Sequence, residues 1–226
     1  MTTTALIVGN SDGIGLAVTR RLLDRGWHVT GVSRSVSPVG HAYYTHHVAD
    51  VSRDDFMEVL RKQLEAGVPD LFIYSAGIGE LCDPRSMEHE VRVIEVNLMG
   101  LVRALSLVAP AMVERGSGYI IGISSLADEL LSAEAPSYHA SKAGFTSYLG
   151  SLNLALKPHG VHVTAIRFGF VDTKMAKGDV KPLMMSVERA VRHIERCIER
   201  KPALYTAPRP AVPLVKFRKW MMRLSR

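Results

Sequence analysis

Apolar positions in this chain come in short unbroken runs separated by stretches of helical spacing. Thr4-Ala5-Leu6-Ile7-Val8 is such a run and closes on Gly9, as a strand buried on both faces does. Over residues 13–25 the spacing changes: Ile14, Ala17, Val18 and Leu22 share one face of a helix that Gly26 ends. The same reading predicts strands at 27–33, 43–48, 70–74, 119–124 and 161–167. Helices are predicted at 51–66, 85–115, 136–157 and 186–200, the second of them interrupted or bent near Gly100 and Pro110. Strand and helix alternate throughout, and each strand is nearly all apolar. That pattern predicts an α/β fold in a single domain over residues 1–226, a doubly wound parallel sheet covered by helices on both faces. Ligands of such sheets sit beyond the carboxyl ends of the strands, so the residues just after each strand are the ones to read for chemistry.

Composition narrows the class. The chain has 226 residues, 47% hydrophobic and 22% charged, which is enough apolar material for one core and too much for a disordered chain. No run of about 18 uncharged apolar residues occurs, and the first ten residues lack a basic start and a small-residue cleavage site. Neither a membrane-spanning helix nor a secretory signal is therefore expected. Cys82 and Cys197 stand far apart with no partner motif, which predicts a reducing, cytoplasmic setting. His139 and the pair His46-His47 have no third ligand at metal spacing, and no metal is expected.

The net charge of +6 is unevenly placed. Residues 200–226 hold eight basic side chains and no acid, leaving −2 on the rest. The basicity belongs to a C-terminal tail, 201–226, and predicts no nucleic-acid partner for the body. Within the tail, Leu214, Phe217, Trp220, Met221 and Leu224 fall on one side of a helical wheel, and Lys216, Lys219, Arg223 and Arg226 on the other. This segment could touch an anionic membrane surface peripherally, with subunit packing and a tail disordered on its own as the alternatives.

Two short motifs carry candidate chemistry. Gly9-Asn10-Ser11-Asp12-Gly13-Ile14-Gly15 joins the first strand to the first helix. Glycines there let backbone N–H groups approach a pyrophosphate, and the helix N-terminus offers it a positive dipole end. Tyr138-His139-Ala140-Ser141-Lys142 opens a long helix. Residues four apart share a helix face, so the Tyr138 hydroxyl and the Lys142 ammonium can meet at one site. A cation there would lower the phenol pKa and yield a general acid/base. Ser124-Ser125 end the fifth strand thirteen residues earlier, and Asn97 lies in the preceding long helix. Asp50-Val51, Ser75-Ala76-Gly77 and Gly169-Phe170-Val171-Asp172-Thr173 follow the third, fourth and sixth strands.

With these residues in this order, the sequence resembles the short-chain dehydrogenase/reductase family in its compact form, from Thr4 to about Arg200. The resemblance implies a Rossmann fold and hydride transfer between a nicotinamide and a carbonyl or secondary alcohol carbon. It implies that Tyr138 is the acid/base and that Ser125 binds the substrate oxygen. Lys142 would hold the nicotinamide ribose and lower the Tyr138 pKa, and Asn97 would support a relay water. Gly9, Ser11, Asp12, Gly13, Ile14 and Gly15 would hold the pyrophosphate side. Asp50 and Val51 match the adenine contacts, Ser75, Ala76 and Gly77 the ribose side, and Gly169, Val171 and Thr173 the nicotinamide side. Val8, Ser75 and Phe168 stand where the family usually has threonine, asparagine and proline, so Val8 lacks a hydroxyl that would brace the glycine loop. Homodimers or homotetramers through the two long helices are the family's habit, with Val91, Ile94, Leu98, Phe145 and Leu149 the apolar positions available.

The second strand ends in Ser33-Arg34. An arginine there suits the 2′-phosphate of NADP, where an acid would suit the hydroxyls of NAD. NADP is therefore the expected cofactor, with NAD possible. The resemblance implies that the segment after Asp172 covers the substrate. Met175, Met184 and Met185 would then make an adaptable apolar cover for a lipophilic ketone or alcohol, rimmed by Lys174, Lys177 and Lys181; the alternative is a flexible loop with scattered lysines. The competing reading is a catalytically idle nucleotide-binding regulator on the same fold. Epimerisation or dehydration is a third, for which the chain lacks a larger C-terminal substrate part.

Overall fold

The structure is a computed structural model, and it describes residues 3–176, 183–213, 215 and 217. Lys177, Lys181 and most of the amphipathic segment after Pro213 lie outside the described residues. Seven parallel strands form one sheet in the order β3-β2-β1-β4-β5-β6-β7. They are β1 (Thr4–Val8), β2 (His28–Ser33), β3 (Tyr44–Val48), β4 (Leu71–Tyr74), β5 (Gly118–Ser125), β6 (Val161–Phe168) and β7 (Leu204–Ala207). The chain runs outward from β1 in one direction and then returns to β4 on its other side. That reversal makes the crevice above β1 and β4 the place where a ligand fits. The helices are α1 (Gly13–Asp24), α2 (Asp54–Ala66), α3 (Glu88–Ile94), α4 (Gly100–Arg115), α5 (Pro136–Leu156) and α6 (Val187–Arg200).

Strand alternation divides the core in two. Leu6 and Val8 of β1 join Phe72 and Tyr74 of β4 under α2, α4 and α5. Ala5 and Ile7 point the opposite way, with Leu71 and Ile73, towards α1 and α6. A central strand covered on both faces is therefore mostly apolar along its length, which is why runs rather than alternation marked β1, β4, β5 and β6 in the sequence.

Three elements depart from the sequence reading. Helix α2 starts at Asp54 rather than 51, because Asp50 accepts hydrogen bonds from the Ser52 amide and hydroxyl and the Arg53 N–H bonds the Asp50 carbonyl. Those bonds turn the chain before a helix can start. The long helix begins at Glu88, and its interruption is a π-helical turn, Glu95–Met99, just before Gly100; the helix continues through Pro110. Strand β7 lies within the segment read as a basic tail and pairs with β6 from Ala165↔Leu204 to Phe168↔Ala207. Phe145 and Leu149 are fully buried, so core packing explains them, whereas Val91 is 62% exposed. The stretch Glu88–Arg115 is long and apolar enough, by length and composition, to cross a membrane. Its buried side, including Leu101, Leu105 and Val108, is packed in the core.

Candidate active site

The glycine loop is built by close backbone approach. A Cβ on Gly9 would lie 2.3 Å from the Ala76 amide nitrogen, and one on Gly15 would lie 2.0 Å from the Gly9 carbonyl oxygen. Only glycine allows this contact, which brings the loop after β1 and the loop after β4 together at the switch point. Asp12 caps α1 by accepting from the Gly13 N–H at 2.7 Å. Its carboxylate also meets Lys174 Nζ at 3.0 Å, and that hydrogen bond, then the Gly13 amide, holds its pKa below the usual value. Thr173 leans onto Gly13, its Cγ2 3.3 Å from where a Cβ would sit.

With Val8 in place of threonine, the brace of the loop comes from Asn10, which the sequence reading missed. Asn10 is fully buried and donates from Nδ2 to the Tyr44 hydroxyl at 2.6 Å. Tyr44 in turn meets His46 Nδ1 at 3.0 Å. Gly31 makes room for this: a Cβ there would fall 1.9 Å from Asn10 Nδ2.

The proton-transfer candidates converge at the ends of β5 and α5. Tyr138 and Lys142 share a face of α5, and Lys142 Nζ is 5.9 Å from the Tyr138 ring centre. Burial raises the Tyr138 pKa, and the neighbouring Ser125 hydroxyl acts the other way. Burial also lowers Lys142 to about 8, with the Asp128 carboxylate opposing. Lys142 gives one of its three protons to the Ile123 carbonyl at 3.0 Å, which leaves two for a ligand. Ser125 Oγ accepts from the Ala127 N–H at 3.2 Å and so starts a 3-10 turn, Leu126–Glu129. Asn97 sits in the π turn, with Oδ1 accepting from Ile78 N and Nδ2 donating to Ile78 O and Ser141 Oγ. Its amide thus ties the loop after β4 to α5. Gly77 leaves a gap where a Cβ would sit 3.3 Å from Asn97 Oδ1 and 3.8 Å from Lys142 Nζ.

Not every candidate side chain faces this cleft. Val51 and Val171 are buried, at 6% and 7% exposure, and belong to the two cores. They can offer a ligand backbone only. Met185 is likewise buried, in the core beside α6, so of the three methionines read as a cover only Met175 and Met184 are exposed. Ser33 is buried and donates to the Ser35 carbonyl at 2.8 Å. Arg34 faces outward and lines a cavity of about 300 Å³ with Asp50, Arg53, Asp55 and Arg92. Burial works to raise the Asp50 pKa, but the Ser52 amide and hydroxyl, with Arg92 and Arg34 nearby, outweigh it and hold the carboxyl below its ordinary value. Arg53 and Arg92 were not legible as site residues, since nothing in their spacing links them to Arg34.

The sequence and the fold match a known family. The family model for short chain dehydrogenases covers residues 3–183. An uncharacterised oxidoreductase of Myxococcus xanthus (strain DK1622) is 32% identical over 91% of this chain and 87% of its own length. Cis-4-hydroxycyclohexanecarboxylate dehydrogenase of Sinomonas cyclohexanicum is 31% identical over 80% of this chain and 79% of its own. Among solved structures, a short-chain dehydrogenase from Sphingobium yanoikuyae in complex with NADPH superposes with a TM-score of 0.82 and 25% identity. That match covers 98% of this chain and 95% of the other. The chain belongs to the short-chain dehydrogenase/reductase family and is an NAD(P)-dependent oxidoreductase.

Proposed function

We propose that this protein transfers hydride between NADP and a carbonyl or secondary alcohol carbon, with Tyr138 as the acid/base. The observation that carries the reading is the meeting of Tyr138 and Lys142 on one face of α5 at the end of β5, with Lys142 Nζ 5.9 Å from the Tyr138 ring centre and held there by the Ile123 carbonyl. The residues fit a nicotinamide dinucleotide: backbone approach at Gly9 and Gly15, the start of α1, the gap at Gly77 and the arginine-lined cavity. When bound, that cofactor supplies or accepts the hydride. The rest falls to the chain. Ser125 holds the substrate oxygen, and Tyr138, protonated at neutral pH, gives its proton to that oxygen as the carbonyl is reduced. Lys142 stabilises the phenolate left behind and has protons for ribose hydroxyls. Asn97, which ties the loop after β4 to α5, supports a relay water that returns the proton.

Arg34, Arg53 and Arg92 favour a 2′-phosphate, whose oxygens suit guanidinium forks. Leu81, Met87, Leu131 and Met175, all exposed on loops at the carboxyl side of the sheet, favour an apolar substrate. The ring alcohol for which the Sinomonas relative is named suggests cyclic ketones as the first panel. Tyr138→Phe is expected to bind NADPH as the parent does and to lose about 100- to 10,000-fold in kcat, because it removes the proton alone. Parent-like turnover would overturn the assignment. Arg34→Asp is expected to weaken NADPH binding by roughly 10- to 100-fold and to shift preference towards NADH; titration of both by nicotinamide fluorescence checks this.

A further inference from the structure

Behind the catalytic residues lies a buried polar cluster that proton transfer does not touch. Thr146 stands four residues after Lys142 and eight after Tyr138, on the same stripe of α5. Its hydroxyl donates to Asp128 Oδ2 at 2.7 Å and meets Ser124 Oγ at 2.7 Å. With the Thr146 proton spent on the carboxylate, Ser124 must be the donor between the two hydroxyls. Ser124 therefore donates to Thr146, and Thr146 to Asp128, in one direction. Arg167 of β6 is the cross-strand neighbour of Ser124 and closes the cluster. Its Nε lies 2.9 Å from Asp128 Oδ2, and its Nη2 lies 2.5 Å from Glu129 Oε1. The Asp128 side chain is 3% exposed and that of Arg167 10%.

Stability is a poor reason for such a cluster, because a buried ion pair about breaks even against apolar side chains of the same volume. Its position is informative. Asp128 lies three residues after Ser125, in the turn that Ser125 itself caps. The cluster therefore joins four pieces: the end of β5, the turn after it, the first half of α5 and the end of β6. We propose that Asp128, clamped by Arg167 and Thr146, is a positioning residue that fixes the Ser125 turn against the stripe of α5 bearing Tyr138 and Lys142. The charges agree with this: Asp128, Glu129 and Arg167 sum to −1, opposite the single positive charge of Lys142. Burial works to discharge Lys142, and Asp128 works to keep it charged.

The inference rests on the reaction proposed above, so the parent and Tyr138→Phe are measured beside the test variants on the same cyclic ketone with NADPH. Thr146→Val keeps the shape and removes the hydroxyl that links Ser124 to Asp128. The expected result is a folded protein with a Tm lower by a few degrees, since the buried Asp128 loses one donor, an unchanged NADPH affinity, a kcat lower by about tenfold and a KM close to the parent's, since no group touching the substrate is lost. Thr146→Ser should restore most of the rate. Asp128→Asn should lose more, about 100-fold in kcat. If Asp128→Asn fails to fold because Arg167 is left unpaired, the threonine pair carries the test. A folded Thr146→Val with kcat within twofold of the parent, or a loss that serine does not rescue, would overturn the proposal. An active Tyr138→Phe, or a parent with no turnover, would instead fail the reaction itself and take this inference with it.

Discussion

The side chains at the heart of the site are ordinary in type and unusual in surroundings. Lys142 is 5% exposed, and its pKa is lowered to about 8 by burial. The sign of the consequence follows directly: the charged form is lost as pH rises through that value, and with it the support for the Tyr138 phenolate. We expect kcat/KM for NADPH in the direction of reduction to be level below pH 7 and to fall above about pH 8. A profile still level at pH 10 would show that the charge on Lys142 is not needed. Tyr138 and Lys142 were legible in the sequence because a four-residue step on a helix is a geometric statement in itself. Arg53, Arg92 and Asn10 were not, since each reaches its place through a fold contact between distant segments. Asp128 and Arg167 are 39 residues apart and meet because β5 and β6 are neighbours.

At the scale of elements, what the sequence hid was chiefly where helices begin and how loops are braced. The start of α2 moved because Asp50 and Ser52 use their polar groups on local turns before the helix can form. The glycine loop holds without the threonine hydroxyl because buried Asn10 is tied to half-buried Tyr44 and His46 behind it. Gly31 lies in the middle of β2, where a glycine ordinarily weakens a strand, and its use is to admit Asn10. Gly31→Ala should therefore do what alanine in a strand rarely does. The added methyl meets Asn10 Nδ2 at 1.9 Å and the Tyr44 hydroxyl at 2.5 Å. We expect a loss of roughly 1–3 kcal/mol, read as a Tm lowered by several degrees, together with weaker NADPH binding as the loop loses its brace. An unchanged Tm would mean that Asn10 can move aside freely.

For the molecule as a whole, the alternation of strand and helix was readable because the central strands β1, β4, β5 and β6 each contain a mostly apolar run. The strand it failed to show, β7, has Leu204 half exposed and sits at the sheet edge among basic residues. An edge strand faces water on one side and loses the unbroken apolar run that marks its neighbours. Ala207 is nonetheless buried and pairs with Phe168, so the sheet continues past the point where the sequence pattern fades. A chain ended after Ala203 is expected to lose cooperative thermal unfolding and NADPH binding, while one ended after Pro213 keeps both. Equal melting curves for the two would show that β7 is dispensable.

The π turn at Glu95–Met99 can be understood by counting. A π turn holds one residue more than the α-helix would use over the same rise, so the helix before it is out of phase with the helix after it by about 100°. That offset lets α4 press Leu101 and Leu105 into the core while Asn97 reaches the Ile78 backbone and Ser141. Remove a single residue from the turn and the two halves fall back into step. No side chain in the cleft would have been altered, yet the amide that joins the β4 loop to α5 would point elsewhere, as a key cut one notch too short no longer lifts its pin.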